Sequence, residues 1–212
     1  MSGTRFFLIR HALVEPSARA VLYGDMDVPL CGLSLLADAA AYRWLAGRLP
    51  AEANWVVTPL SRTHATAAAI FASDAGLAPQ PLAVEEHLRE QTLGEWQGLP
   101  HDEAARRMLR PAHPFWPHGA DERPPGGESL ADVVLRVGAV MERLAETHAG
   151  KDVVIVAHGG SIRGAVAHAT GITPHQVLQF SIRNLSLTRL EKRGPDWRVW
   201  AVNEESGLAS VS

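Results

Sequence analysis

Three short apolar runs recur along the chain and predict buried strands. The runs span Phe6 to Ile9, Trp55 to Val57 and Val153 to Val156, and none contains a polar residue. Strands of a parallel sheet have this composition, because helices cover both faces of the sheet and no side chain faces water. We therefore expect three parallel strands, each covered on both faces.

Helical patterns lie between and after these runs. Ala-rich segments from Leu33 to Leu49 and from Arg62 to Ala75 predict two helices. The segment from Leu130 to His148 carries an apolar stripe at three- and four-residue steps and predicts a third. Two segments in which apolar and polar residues alternate, LSLTRLEK and WRVWAVNE, flank Gly194-Pro195. This pattern predicts an antiparallel hairpin. The expected fold class is α/β, with three α/β/α layers around a mostly parallel sheet.

Residues 98–127 interrupt this alternation with a segment rich in Pro, His, Arg and Trp. We interpret it as an excursion over the sheet that covers the active site, because it lacks the apolar pattern of a second core. The chain has 212 residues, of which 46% are hydrophobic and 20% are charged. That length and composition suit one sizeable core, so we expect residues 1–212 to form a single domain.

Composition excludes several classes of partner. A net charge of -3 gives no basic surface of the kind that nucleic-acid-binding proteins use. No apolar stretch reaches the roughly 18 residues of a membrane span. Cys31 is the only cysteine, which rules out an internal disulfide and a zinc site built from cysteines. We expect a cytoplasmic protein without a nucleic-acid or membrane partner, and a homodimer is compatible with the sequence.

Charged and imidazole side chains follow each apolar run. Arg10 and His11 come directly after the first run, Arg62 opens the helix after the second, and His158 follows the third. Glu90 precedes a glycine-rich turn between the second and third runs. Ligands of an open α/β sheet bind beyond the carboxyl ends of its strands. We therefore expect these five side chains to meet on one rim of the sheet.

This set of side chains suits transfer of a phosphoryl group through a histidine. A neutral imidazole is a nucleophile near pH 7, since its ordinary pKa is about 6.5, and it requires no metal. Arg10, Arg62 and a protonated His158 would hold the phosphate oxygens, with help from the backbone amide of Gly159 at a helix start. Glu90 would protonate the leaving alkoxide and then accept a proton from the attacking water. No cofactor is expected.

The chain resembles the histidine phosphatase superfamily, the phosphoglycerate-mutase-like enzymes, over nearly its whole length. Five segments carry the resemblance in the family's order: the Arg-His pair, SRTHATA, LREQTLGEWQG, PPGGESL and VAHGGSIR. The resemblance implies a phosphoglycerate-mutase-like fold and phosphorylation of His11. It also implies a phosphate pocket of Arg10, Arg62 and His158, with Glu90 as acid and base and no metal.

Three positions close to the nucleophilic histidine depart from the family pattern, and Cys31 and Ser34 stand further on where the family commonly has Thr and Gly. Ala12 stands where the family has Gly after the nucleophilic histidine, and Val14 and Ser17 stand where it has Thr and Asn. The Ser17 hydroxyl can still donate to a phosphate oxygen, whereas Val14 cannot. The segment YGDMDVPL keeps the family's Gly-x-x-Asp-x-Pro-Leu spacing.

Two other functions remain as alternatives to a phosphatase. A mutase would transfer phosphate within a sugar acid, but mutases of this family have a longer insert with a basic clamp, and residues 91–127 contain no lysine. A non-catalytic phosphate-binding protein would fit the changes at Ala12 and Val14. The presence of Glu90 argues against it, because a pure phosphate binder gains nothing from a nearby carboxylate.

Several side chains near these motifs have competing interpretations. The acid role has alternative candidates in the carboxylates Glu85, Glu86 and Glu95. Ser161 lies in a near match to a serine-hydrolase turn, but Arg163 occupies the position that this turn reserves for Gly. Three histidines of the excursion lack the spacing of a metal site, and we expect them to line or border the pocket. These are His101, His113 and His118. Trp116 or Arg106 of the same segment is expected to face the substrate.

Overall fold

The computed structural model describes residues 3–73 and 75–207. Six strands form one sheet: β1 (Thr4–Arg10), β2 (Asn54–Val57), β3 (Leu82–Val84), β4 (Asp152–Ala157), β5 (Leu187–Arg193) and β6 (Asp196–Glu204). The helices of these residues are α1 (Pro16–Arg19), α2 (Gly32–Ala37), α3 (Ala39–Ala46), α4 (Ser61–Phe71), α5 (His101–Arg107), α6 (Leu130–Thr147), α7 (Gly159–Thr170) and α8 (Pro174–Val177). None of them is both long and apolar enough to cross a membrane.

The sheet has the order β3-β2-β4-β1-β5-β6. β1, β2, β3 and β4 run parallel, and β5 is antiparallel to its neighbours β1 and β6. Along β1, Phe6 and Leu8 face the layer of α6, α7 and α8, while Phe7 and Ile9 face the layer of α3 and α4. The uninterrupted apolar run of this strand is explained because both of its faces are covered. The expected three-layer α/β/α class with a mostly parallel sheet is confirmed.

The helix expected from Leu33 to Leu49 is instead two helices. They meet at Asp38, whose ψ of 14° departs from helical geometry. Leu33 and Leu36 of α2 are 81% and 80% exposed, and Leu35 packs against the core while only partly buried, so tertiary contacts support this helix weakly. The expectation was wrong because Leu33 and Leu36 have helical spacing but contact no core.

Two other boundaries differ from the pattern. The helix that begins near Arg62 was expected to end at Ala75, but it ends at Phe71. Just after this end, the Ser73 hydroxyl donates to the Ile70 carbonyl at 2.7 Å and closes the last turn. β3 was not expected, because its three residues at the edge of the sheet are mostly exposed and carry no apolar pattern. The helix from Leu130 and the final hairpin agree with the sequence.

The register of the central strands places the candidate residues. Arg10 lies opposite Ala157, and these are the last residues of the parallel strands β1 and β4. His11 and His158 therefore leave neighbouring strand ends in the same direction. β2 pairs with the other edge of β4, so the residues that follow β2 reach the same rim.

A cluster around Glu142 joins both strands of the hairpin to two helices. The Glu142 carboxylate on α6 accepts hydrogen bonds from Lys192 of β5, His168 of α7 and Trp197 of β6 at 2.6, 2.8 and 2.9 Å. Partial burial alone would raise the pKa of Glu142, but these donors outweigh it and lower the pKa to about 2. Ionised Glu142 thus stabilises the fold.

Glu142→Gln is expected to reduce the free energy of unfolding by about 1 kcal/mol at pH 7, a value reduced for solvent screening at a partly exposed site. A lowered carboxylate pKa stabilises the folded state above pH 4.5, and this stabilisation is lost as the pH falls toward 2. Urea unfolding at several pH values measures the difference. The matched control is Glu146→Gln, an exposed residue of the same helix. Equal effects of the two variants, or a difference that persists at pH 2, would contradict this interpretation.

Candidate active site

The carboxyl ends of β1 and β4 border a cavity of about 350 Å³. Arg10, Glu90 and Gly159 line its floor together with Gly160. Its walls are largely apolar and come from residues 21–24, from residues 116–118 of the excursion, and from Leu93 and other side chains. The predicted rim of the sheet therefore carries a concave site, lined by Arg10, Glu90 and Gly159 but not by the buried His11, Arg62 and His158.

His11 is buried, and one of its ring nitrogens is fixed by the backbone. Nδ1 lies 2.7 Å from the carbonyl oxygen of Ala12. A carbonyl only accepts hydrogen bonds, so Nδ1 carries the proton and Nε2 keeps its lone pair. Burial, followed by the nearby charges of Arg62 and Arg10, holds the pKa of His11 well below 6.5. His11 is therefore a neutral imidazole with a free nucleophilic nitrogen. Asn184 donates to the His11 carbonyl at 2.7 Å and fixes this residue's backbone.

The two arginines are held by backbone carbonyls. Arg10 Nη1 donates to the Ile182 carbonyl at 2.6 Å. The fully buried Arg62 donates to the carbonyls of Met26 and Gly24 at 2.6 and 3.0 Å. In each arginine the buried Nε has no acceptor among the described residues. Each guanidinium is therefore fixed through its terminal amino groups and retains an unused donor.

His158 is oriented by Thr58, which follows β2. The Thr58 hydroxyl lies 2.9 Å from His158 Nε2. The Thr63 hydroxyl uses its hydrogen on a backbone carbonyl, so the Thr58 hydrogen has two acceptors within reach, Thr63 Oγ1 at 3.3 Å and His158 Nε2 at 2.9 Å. We assign it to Nε2, the nearer of the two. Nδ1 of His158 then carries the proton, and this buried atom has no acceptor among the described residues.

The surroundings of His158 determine which charge state its ring favours. Burial, followed by the proximity of His11 and Arg62, holds the pKa of His158 well below 6.5. This low pKa favours a neutral His158 in the free site, and the protonated His158 expected against a phosphate stays a prediction. The rings of His11 and His158 are 5.1 Å apart between centroids, so the donor and the nucleophile share one site.

The segment YGDMDVPL packs against the start of α4. Asp27 accepts from the backbone N–H and the hydroxyl of Ser61 at 2.8 and 2.7 Å, which caps the helix that carries Arg62. Gly24 has a φ of +43°, and a Cβ there would lie 2.9 Å from the Gln91 carbonyl oxygen. The Gly-x-x-Asp spacing of this segment thus serves to position Arg62.

Glu90 reaches the cavity beside the start of α7. Its Oε1 accepts from the backbone N–H of Gly160 at 3.0 Å and from that of Gln91 at 2.9 Å. A Cβ on Gly160 would lie 2.3 Å from this oxygen, so only glycine allows the approach. The carboxylate is therefore held at the mouth of the buried group formed by the two histidines and two arginines.

The alternative carboxylates lie elsewhere. Glu85 pairs with Arg143 at 2.6 Å, and Glu86 and Glu95 are exposed. None of the three lines the cavity. Glu90 is thus the acid that the fold brings to the strand ends.

Three positions near His11 do not line the cavity. Ser17 is exposed on α1, where Pro16 begins the helix and Ala18 takes the inward position. Ala12 and Val14 are buried in the apolar cluster beneath α3 and α4. The Ser17 hydroxyl forms no hydrogen bond with another described residue, and its role as a phosphate ligand stays a prediction.

The histidines of the excursion have separate backbone or ring contacts. His101 donates to the Arg19 carbonyl at 3.0 Å, and His118 donates to the Gly119 carbonyl at 3.2 Å. Both line the cavity, whereas His113 packs against the ring of His175. Within residues 3–73 and 75–207, no three His, Cys, Asp or Glu side chains are grouped to hold a metal.

Sequence reasoning missed three residues of the site. Thr58 carried a detectable signal, since it directly follows an apolar strand. Asn184 carried none, because it lies in an irregular segment far along the chain. Arg163 was considered only as a mismatch to a serine-hydrolase turn, yet it lines the cavity with Trp116. Arg163 follows Gly159 by four residues, which places both on the same face of α7. This spacing could have identified Arg163 as a residue of the site.

Comparison with known proteins gives consistent relatives. The family model of the histidine phosphatase superfamily (branch 1) matches residues 6–205. A 2,3-bisphosphoglycerate-dependent phosphoglycerate mutase of Methylobacterium radiotolerans is 34% identical over 178 residues, which cover 83% of this chain and 84% of the relative. A glucosyl-3-phosphoglycerate phosphatase of Mycolicibacterium vanbaalenii is 34% identical over 181 residues, with coverages of 81% and 76%.

A solved structure extends the likeness to three dimensions. The complex of a mycobacterial glucosyl-3-phosphoglycerate phosphatase with inorganic phosphate matches with a TM-score of 0.76 and 27% identity. The match covers 97% of this chain and 99% of the other. Family, fold and order of motifs agree, and the chain belongs to the histidine phosphatase superfamily, branch 1, as an enzyme of the histidine phosphatase type.

Proposed function

We propose that this enzyme hydrolyses small-molecule phosphate monoesters in two steps through a phosphohistidine at His11 Nε2, without a metal ion. In the first step the Nε2 lone pair attacks phosphorus, the bond to the ester oxygen breaks, and protonated Glu90 gives its proton to the leaving alkoxide. In the second step water attacks phosphorus, Glu90 takes a proton from it, and the N–P bond breaks to release phosphate. Protons and charges balance over the two steps.

The observation that carries this proposal is a set of buried donors without acceptors. Arg10 Nε, Arg62 Nε and His158 Nδ1 are buried and have no partner among the described residues. Buried N–H groups are nearly always paired, because an unpaired one costs about 1–3 kcal/mol. A phosphoryl group beside His11 offers three equatorial oxygens that these donors can bind. We call these three donors together with His11 the anion pocket.

The basic residues of the segment 91–127 favour hydrolysis over phosphate transfer within a sugar acid, because they do not form a second phosphate or carboxylate site. Residues 91–127 contain no lysine, and Arg106 and Arg107 of α5 form exposed ion pairs with Asp102 and Glu103 at 2.7 and 2.6 Å. Arg123 pairs with Asp132, which leaves Arg110 as the one arginine of residues 91–127 without an ion pair. A single exposed side chain does not form a basic clamp for a second substrate position. We also propose that the reaction takes place in the cytoplasm, since the single cysteine is typical of a reducing compartment.

The phosphohistidine step predicts activity without metal. The wild-type enzyme is expected to hydrolyse p-nitrophenyl phosphate in excess chelator, and His11→Asn is expected to lose at least about a thousandfold, because the nucleophile is absent. Rapid quenching should trap a phosphoryl group that is labile in acid and stable in base, on His11. His87→Asn, at an exposed position, is the control. Activity that requires added metal, or turnover retained in His11→Asn, would contradict the proposal.

The donor role of His158 predicts the effect of removing the Thr58 hydroxyl. Thr58→Val keeps the shape but leaves His158 Nε2 without its donor, so the ring no longer has a fixed proton on Nδ1. We expect kcat/KM for p-nitrophenyl phosphate to fall about tenfold. Thr58→Ser should restore most of the activity, because it restores the hydroxyl. Equal losses in Thr58→Val and Thr58→Ser would indicate a packing effect and contradict the tautomer assignment.

The acid role of Glu90 predicts a dependence on the leaving group. Gly160→Ala places a methyl group against the Glu90 carboxylate and displaces it. An alkyl phosphate needs a proton on its leaving oxygen far more than a nitrophenyl phosphate does. We expect kcat/KM to fall at least about tenfold more for the alkyl ester. Gly32→Ala, where a Cβ meets nothing within 4 Å, is the matched control. Equal losses for both esters would contradict the assignment of Glu90.

A further inference from the structure

Arg163 is a nearly buried cation on the wall of the cavity. It is 4% exposed, its Nε donates to the Phe180 carbonyl at 3.1 Å, and its guanidinium stacks on Trp116 at 4.2 Å from the ring centroid. Among the described residues, no group accepts from its two terminal amino groups and no carboxylate forms an ion pair with it. The structural contacts of Arg163 thus leave the terminal half of its guanidinium free toward the cavity.

An unpaired cation in this position is costly without an anion. Burial lowers the pKa of Arg163 to about 10, against the opposing influence of Glu90, so the side chain is still charged at pH 7. A buried charge requires a partner to offset the loss of water. A guanidinium fork matches a carboxylate or a phosphate group, which accept two parallel hydrogen bonds. The free amino groups therefore point to an anionic ligand.

The position of Arg163 distinguishes this anion from the transferred phosphate. Arg163 lies one helical turn after Gly159, on the same face of α7. A Cβ built on Gly159 would lie 3.3 Å from Arg163 Nη1 and 3.6 Å from Arg10 Cζ. The two guanidinium groups thus lie close to the same point beside Gly159, and both line the cavity. Glu90 lines the same cavity, so the site proposed for the leaving alcohol lies beside Arg163.

We propose that Arg163 binds a second anionic group of the substrate, attached close to the ester oxygen. The inference rests on the proposed phosphatase function and names the class of its substrate: phosphate monoesters whose alcohol half carries a carboxylate or a further phosphate close to the ester. Beyond this group, the apolar wall of Leu93, Trp116 and Leu178 contacts the rest of the alcohol. Arg163 is a specificity-determining residue, separate from the residues that carry out the chemistry.

Matched pairs of esters test the proposal. Phosphoglycolate and 2-hydroxyethyl phosphate differ only in a carboxylate two bonds from the ester oxygen. 3-Phosphoglycerate and glycerol 3-phosphate differ only in a carboxylate three bonds away. The measured quantity is the ratio of kcat/KM within each pair, from phosphate release. For at least one pair, we expect the wild-type enzyme to favour the carboxylate by tenfold or more, the effect of one charge-assisted pair.

Substitution of Arg163 connects this preference to the residue. In Arg163→Met the preference should fall at least tenfold, whereas Arg106→Met, which removes an exposed arginine outside the cavity, should leave it unchanged. Residual turnover of the neutral ester and circular dichroism show that the variant is folded. If Arg163→Met does not fold, Arg163→Gln replaces it, since the amide keeps polarity without charge.

The outcomes separate this inference from the function on which it rests. The wild-type enzyme could hydrolyse p-nitrophenyl phosphate and yet favour the carboxylate ester by less than tenfold in both pairs. That result would overturn the role of Arg163 and leave the phosphatase proposal standing. A preference that survives in the folded Arg163 variant would do the same. Failure of the wild type to hydrolyse any ester would instead overturn the proposed function and the inference with it.

Discussion

The structure depends on three N–H donors that the fold buries without giving them acceptors. Arg10 Nε, Arg62 Nε and His158 Nδ1 surround a neutral His11, and the two arginines are held by carbonyl oxygens instead of carboxylates. A carboxylate paired directly with either guanidinium would neutralise it and compete with the substrate. Fixing cations by neutral carbonyls keeps their positive potential for a phosphate dianion, and the site needs little reorganisation when charge develops.

The sheet supplies the geometry for this arrangement. Parallel pairing of β1 with β4 brings His11 and His158 out of neighbouring strand ends, and β2 delivers Thr58 on the other side of β4. Each imidazole has one nitrogen hydrogen-bonded to a defined partner. His11 donates to a carbonyl through Nδ1 and therefore has a lone pair on Nε2. With the Thr58 hydrogen assigned to His158 Nε2, His158 carries its own hydrogen on Nδ1. A nucleophile and a donor are thus made from the same residue type by their neighbours alone.

The central residues could be predicted because each follows a segment with a simple pattern. An apolar run that ends at Arg10 and His11 identifies a strand end, and ordered motifs around Arg62, Glu90 and His158 indicate one rim. What could not be predicted depends on contacts between distant segments. The neutral state of His158 follows from burial beside two arginines, Asn184 has no local signal, and the break at Asp38 arises because Leu33 and Leu36 meet no core.

A crystal structure of the enzyme with orthovanadate tests the central claim most directly, because vanadate adopts the trigonal geometry of the phosphoryl group in transfer. The account predicts vanadium bonded to His11 Nε2, with its oxygens accepting from Arg10 Nε, Arg62 Nε and His158 Nδ1, and with an apical oxygen next to Glu90. Vanadate bound to another side chain, or held at His11 while any of these three donors points away from it, would contradict the account.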